Sequence, residues 1–336
     1  MTATSRLIAL ILGLLLAVPA AAEAATASIT SDSGQPMPLT APTTIRNMSP
    51  ILSLAFDPSE KRYAISIVGP SGTVASTGKT CSGTSLYDPE RINYLGNGRY
   101  TATVITSRSA TDATCAAGQT STFQFEIVAS AAIARPTGKL LTRRPGKTSL
   151  IGYGFPVGHN PGSEFTEVSY ARGVKPQADG SLPGGATTGG LVPVEQAKAT
   201  VKFNAPGRYA IVARPRVGAG AGPWSAPVYV TVLAPFDFAG EPVFVDESGP
   251  VYKIRGVVRE RAASGRSIKV SLARGAKGGK FSKLRTVRIN KRTSRFAFRL
   301  TLPKRGRYRL RYAFKGTRRV AKGTVTQGIT IKRVMR

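Results

Sequence analysis

The stretch Gly306-Arg-Tyr-Arg-Leu-Arg-Tyr-Ala-Phe314 sets the reading of the whole chain. Within it Tyr308, Leu310, Tyr312 and Phe314 alternate with Arg307, Arg309 and Arg311, and Lys315 continues the basic set. Successive side chains of an extended chain point to opposite faces. This is therefore the pattern of an antiparallel strand with one face buried and the other in water. The opening phrase recurs at Gly98-Arg-Tyr100 and Gly207-Arg-Tyr209, and the three copies lie 109 and 99 residues apart. Each copy ends a turn segment (Leu95-Gly-Asn-Gly98, Asn204-Ala-Pro-Gly207, Pro303-Lys-Arg-Gly306) and opens an alternating run. Tyr100, Ala102 and Val104 share one face against Thr101 and Thr103, and Tyr209, Ile211 and Ala213 repeat the arrangement. A period near 100 is too long for solenoids or propellers, whose units run about 20–50 residues, and fits a whole two-sheet domain. Closing strands are expected at 122–128, 228–233 and 324–331, and no long helix is legible.

The 336 residues include 36 glycines and 23 prolines, near one residue in six, where about one in eight is usual. Turn-rich composition argues against a helical bundle. One histidine and two cysteines leave no zinc cluster or haem pair, and no cofactor or metal site is expected.

On the repeated phrase and the runs around it, the chain resembles bacterial secreted proteins built from tandem immunoglobulin-like and fibronectin type III-like domains. The Gly-x-Tyr phrase is similar to the start of the penultimate strand of such a sandwich, where a tyrosine commonly ties the corner. Gly222-Pro-Trp-Ser225 before Pro227-Val-Tyr-Val230 resembles the last hairpin of a fibronectin type III domain. Ser294-Arg-Phe-Ala-Phe-Arg-Leu300 followed by Arg305-Gly-Arg-Tyr-Arg-Leu-Arg311 is similar to basic immunoglobulin-like modules of high-GC soil bacteria. The resemblance implies an all-β fold of three tandem Ig-like/fibronectin III-like β-sandwich domains after a signal peptide. Their expected limits are 1–25 for the signal peptide, then 26–133, 134–235 and a strongly basic 236–336. The chain departs from antibody-type domains two residues after each tyrosine, where Ala102, Ile211 and Leu310 replace the usual cysteine.

One positive charge precedes an apolar run from Leu7 to Val18, then Pro19 and small residues with Ala-x-Ala at 20–22 and 22–24. That order is a secretory leader; the run of 12 is short of the roughly 20 residues a transmembrane anchor needs. The mature chain is expected to be extracytoplasmic, without a transmembrane segment. In that oxidising space Cys81 and Cys115 are expected to form one disulfide. It closes a 34-residue loop, worth about 3–4 kcal/mol in the loop-entropy model. Two free reactive thiols are the alternative, but no nearby histidine or Cys-x-x-Cys spacing supports them. Since the usual core pair is missing, the bridge is expected to join loops or strand ends.

The 48 basic and 17 acidic residues give a formal charge of +31, unevenly spread. Residues 26–133 are net zero, 134–235 net +8 and 236–336 net +23. In the last unit Arg295 and Arg299 are out of phase with Phe296, Phe298 and Leu300. Arg307, Arg309 and Arg311 are out of phase with the aromatic set, and Lys269 stands opposite Ile268, Val270 and Leu272. The aromatics are expected inside and the guanidinium groups in water. Nucleic-acid stacking, which uses exposed rings between basic groups, is disfavoured on that pattern. Planar guanidinium forks suit phosphate and carboxylate.

Catalytic motifs fail one by one. His159 lies in the turn Gly158-His-Asn-Pro-Gly162, and no Gly-x-Ser-x-Gly elbow occurs. Gly146-Lys-Thr148 lacks its phosphate-loop glycine, since Leu141 stands there. The run 184–190 reads as a glycine-rich loop, Glu164 and Glu167 would face opposite ways on a strand, and Asp246-Glu247 reads as a turn. The expectation is an exported non-enzyme, associated with the cell envelope, whose basic C-terminal module contacts an anionic polymer or lipid surface through Arg295, Arg299, Arg307, Arg309 and Arg311. Beside it stand a merely solvated basic face and a carbohydrate-binding or accessory module of a secreted degradative system.

Overall fold

Strict alternation of buried and exposed residues runs through Arg295–Thr301 and through most of Gly306–Phe314. The same period shapes Gly98–Ser107 and Lys198–Lys202, and it builds an all-β molecule. The structure is a computed structural model. It describes residues 25–70, 72, 74–75, 80–84, 88–116, 118–248, 250–275, 279–302 and 304–332. The leader expected over 1–25 lies outside the described residues except for Ala25, which is buried and pairs with Phe56. Among the described residues the sole helical element is one 3-10 turn, Arg261–Ala263, and no helix is long and apolar enough to cross a membrane.

Six sheets form three face-to-face pairs. In the first pair Pro36–Pro38, Ala25–Thr30, Ile51–Phe56 and Asp88–Arg91 make one sheet. It faces Thr43–Ile45, Gln119–Ile127, Gly98–Ser107, Arg62–Val68 and Ser82–Gly83. In the second, Ala132–Ile133, Gly152–Gly158 and Lys198–Lys202 oppose Leu140–Leu141, Val228–Leu233, Gly207–Val217, Phe165–Arg172 and Thr187–Pro193. In the third, Val243–Ser248, Val251–Val257 and Arg295–Thr301 oppose Ser282–Arg288, Ser267–Arg274, Gly306–Phe314 and Gly323–Ile331. The run 184–190, read as a loop, contributes Thr187–Gly190 to a strand paired with Phe165–Arg172. Each pair encloses one apolar cluster, such as Tyr252, Ile254, Phe298 and Leu300 against Val270, Leu310, Tyr312 and Phe314. Burying one such side chain contributes about 1.5–3 kcal/mol, so the inner faces supply most of the driving force. Ala102, Ile211 and Leu310, the positions without cysteine, are fully buried.

The repeated phrase has a mechanical basis. The Tyr100 hydroxyl donates to the Gly96 carbonyl at 2.9 Å and accepts from the Leu95 N–H at 2.9 Å. Tyr209 donates to the Ala205 carbonyl and Tyr308 to the Lys304 carbonyl, each at 2.8 Å. In all three the phenol reaches four residues back and ties the crossing between sheets. The preceding glycines have φ of 135°, 155° and 146°, a backbone region that favours glycine.

The bridge expected between Cys81 and Cys115 is present, with Cα atoms 5.5 Å apart. As expected, it joins connections rather than the two sheets. Cys81 precedes Ser82–Gly83, and Cys115 lies between Gly98–Ser107 and Gln119–Ile127. Polar contacts cross both junctions between pairs. Asn160, 2% exposed, accepts from the Ser130 N–H at 2.9 Å and donates to the Arg46 carbonyl at 2.6 Å. At the second junction Arg143 pairs with Glu260 at 2.7 Å, the Gly146 N–H donates to Asp237 at 2.8 Å, and Ala234 exchanges backbone bonds with Arg319 and Ala321.

Candidate functional site

The five arginines singled out from the sequence do not share one surface. Arg307, Arg309 and Arg311 lie on Gly306–Phe314, inside the four-stranded sheet of the third sandwich. Arg295 and Arg299 lie on Arg295–Thr301, an edge of the opposing three-stranded sheet. Outer faces of opposed sheets point in opposite directions, so the set divides into three and two.

On the four-stranded sheet, Tyr308, Leu310 and Tyr312 fill the core while the arginines stand outward. The residues beside them are small. Ala273 and Gly328 flank Arg309, and Ser271 and Thr326 flank Arg311. Guanidinium groups can therefore lie along the sheet without colliding with a neighbouring large side chain. Lys269 and Lys283 lie on the same outer face, since they pair across Thr286 and Ser271 respectively. Carboxylates are missing from this region altogether: from Arg261 to Arg336 the sequence holds 25 lysines and arginines and no aspartate or glutamate. Among the described residues no ion pair reaches any of the four strands.

The alternation places the aromatics of Arg295–Thr301 and Gly306–Phe314 inside, and it does not reach Phe281. Phe296, Phe298, Tyr308, Tyr312 and Phe314 are buried, but Phe281 is half-buried on the outer face. The Arg311 guanidinium carbon sits 3.7 Å from its ring centroid and that of Arg309 at 5.0 Å. Such contacts contribute about 0.5–1 kcal/mol each at exposed sites. Arg309 also donates to the Gly279 carbonyl at 3.2 Å. The ring thus holds two arginines in place. The sequence signal was a phenylalanine between Lys280 and Ser282-Lys283, where every neighbour is polar.

The opposite face is partly neutralised. Asp246-Glu247, read as a turn, belongs to the strand Val243–Ser248. Glu247 pairs with Arg299 at 2.6 Å and with Lys253 at 3.6 Å. The Arg299 hydrogen bond, helped by the nearby Arg299 and Lys253 charges, holds the Glu247 carboxyl below its ordinary range. Arg295 has no carboxylate partner among the described residues and lines a groove.

Elsewhere, arginines again cover aromatic rings. Arg208 lies 4.2 Å over Tyr229 and Arg214 lies 4.3 Å over Trp224, the tryptophan of Gly222-Pro-Trp-Ser225. Glu167 ties Arg214 and Arg216, both at 2.9 Å. Burial tends to raise its pKa, but the two guanidinium hydrogen bonds outweigh this and the net shift is downward. His159 contacts the Thr166 hydroxyl through Nδ1 and the Gln196 carbonyl through Nε2, both at 2.8 Å. Among the described residues no cluster of three or more His, Cys, Asp or Glu could hold a metal ion.

No family model matches the sequence, and no curated protein matches it. The chain is similar to the FN1-FN3 domains of chicken CNTN1, at 13% identity over 85% of this chain and 95% of that one, with a TM-score of 0.24. It is also similar to a two-domain fibronectin type III segment of chicken tenascin, at 14% identity over 60% and 97%, with a TM-score of 0.32. At these scores the likeness adds nothing to the topology described above.

Proposed function

We propose that this is an exported, non-catalytic interaction protein of the cell envelope whose C-terminal sandwich contacts anionic surface polymers. The observation that carries the reading is the outer face of the four-stranded sheet, where Arg307, Arg309 and Arg311 stand with Lys269 and Lys283 in a region without a single carboxylate. A surface that serves solubility alone is best built with both signs interspersed, and a large single-sign field suits steering. Here the repulsion among like charges goes uncompensated within the sheet, and a polyanion would relieve it. Guanidinium forks bind two oxygens at once, which suits phosphate and carboxylate groups along a polymer. Export is supported by the leader pattern and the disulfide. Base stacking on Phe281 is disfavoured because two guanidinium groups already occupy it. Neutral-sugar recognition gains no support, since Tyr229 and Trp224 each have a guanidinium over one ring face.

The test is elution of the mature chain from immobilised polyphosphate and immobilised polyuronate along a salt gradient. Retention should weaken steeply with salt, because screening acts within about 8–10 Å. Changing Arg307, Arg309 and Arg311 together to glutamine should remove most of the salt-dependent retention. Retention indifferent to both salt and substitution would end the proposal.

A further inference from the structure

We infer that the opposite side of the third sandwich carries a binding groove for an amphiphile with one anionic head and an alkyl chain. This site is separate from the polymer-contacting face and does not depend on it. The groove has a volume of about 930 Å³, within the range of about 300–1,000 Å³ common for small-molecule sites. It opens on the outer face of the three-stranded sheet, at the end away from Glu247.

The apolar wall comes from register. Val243 pairs with Arg255, which pairs with Ala297, and Val257 pairs with Arg295. These residues point outward, so Val243 is 60% exposed and Val257 36%. Val245, 38% exposed, continues the apolar row along the edge strand. Phe296 closes the floor from the core side. Its ring packs over Gly256, where a Cβ would stand 2.5 Å from a ring atom, so glycine is needed there for the floor to form.

Cations line the rim. Arg255 and Arg295 lie diagonally across neighbouring strands, while Arg288 ends the edge strand Ser282–Arg288 of the opposed sheet and Lys291 lies in the connection that follows it. That connection is held in place: the Asn290 side chain accepts from the Arg292 and Thr293 N–H groups at 2.9 and 3.0 Å. Ser264 and Ser294 join their hydroxyls at 2.6 Å. Glu241 is the single carboxylate lining the groove, and none of the four cations forms an ion pair among the described residues. At the other end of the same sheet Glu247 binds both Arg299 and Lys253. Charge is therefore matched at one end and left cationic where the valines are exposed. A free anion would use the rim alone and a neutral chain the wall alone; an alkyl anion uses both.

The experiment titrates the mature chain with decyl phosphate and with decanoate, each below its micelle concentration, against inorganic phosphate and decyl maltoside. At least one alkyl anion should saturate at one per chain and bind about tenfold or more tighter than inorganic phosphate, the gain from burying two or more methylenes. It should also bind tighter than decyl maltoside. A preference for decyl phosphate assigns a phosphate head, a preference for decanoate a carboxylate, and equal binding an anion of either kind. Arg255→Gln with Arg295→Gln should weaken binding about five- to tenfold, and Val243→Asp, at an exposed edge, should weaken it comparably. Lys198→Gln with Lys202→Gln, exposed on the second sandwich, should leave it unchanged. Binding of decyl maltoside or inorganic phosphate as tight as that of both alkyl anions, lack of saturation, or indifference to both groove variants would overturn the assignment.

Discussion

Replacing each corner tyrosine by phenylalanine separates the hydroxyl bond from the packing of the ring, and the three copies should not respond alike. Tyr209 and Tyr308 each make one short bond, to Ala205 and Lys304 at 2.8 Å, and the single Tyr209 hydroxyl proton is shared only with a long 3.4 Å contact to Asn204 Oδ1. A net hydrogen bond contributes about 0.5–1.5 kcal/mol, so Tyr209→Phe and Tyr308→Phe should each cost about 1 kcal/mol. Tyr100 both donates to Gly96 and accepts from the Leu95 N–H. Tyr100→Phe breaks two bonds and should cost about 2 kcal/mol. For a domain near 100 residues each kcal/mol corresponds to roughly 4–8 °C in Tm. Whole-chain melting would blur the three units, so hydrogen exchange is the better assay. Slowly exchanging amides within Gly98–Ser107, Gly207–Val217 and Gly306–Phe314 report each sandwich separately. Protection should fall only in the sandwich that carries the substitution, and most for Tyr100→Phe. Equal losses in all three variants, or no loss in any, would refute the claim that the hydroxyls tie the corners.

Removing the disulfide by Cys81→Ala with Cys115→Ala should destabilise the first sandwich by about 3–4 kcal/mol, visible as faster exchange in residues 25–129 and unchanged exchange in residues 236–332. Glu167 titrates lower in the folded chain than its ordinary value because Arg214 and Arg216 outweigh its burial. A depressed carboxylate stabilises the fold above its unfolded pKa of about 4.3, and that stabilisation is lost as pH falls through the lower folded value. The difference in denaturation midpoint between the parent and Glu167→Gln should thus be full at pH 6 and shrink below about pH 4.3. Phe281→Ala releases Arg309 and Arg311 from their shared ring. It should weaken retention on polyphosphate about two- to fivefold while leaving core protection intact.

Much of the fold was legible because backbone chemistry repeats. Gly98, Gly207 and Gly306 share a positive φ, and the tyrosines two residues on share one bond, so the phrase stands out without any knowledge of the sheets. Period two then separates inside from outside along Arg295–Thr301 and Gly306–Phe314. It does not say which sheet a strand joins. Those two strands are consecutive in sequence, yet the chain crosses from one sheet to the other between them, and this divided the five arginines. Phe281 was hidden for a related reason. A register shift between Val270 and Ser271 displaces the partner strand by one position, and only with that shift does the ring meet Arg309 and Arg311. Glu247 was misread because the Ser-Gly-Pro that follows it in the sequence is turn chemistry, whereas the strand runs on through Ser248. The Asn160 contacts bridge residues 114 apart, and no local pattern encodes them.

The central claim is that charge acts as a patch on one sheet and not as a bulk property of a chain at +31. Two triple variants of equal charge decide it. One changes Arg307, Arg309 and Arg311 to glutamine, and the other changes Arg255, Arg295 and Arg299 on the opposed sheet. Each is compared with the parent on immobilised polyphosphate at fixed salt. An arginine near an anionic surface contributes on the order of 1 kcal/mol, so the first variant should lose affinity by up to roughly a hundredfold. The second should stay within about twofold of the parent. Equal losses in the two variants would mean that only net charge matters, and the assigned face would then have no role of its own.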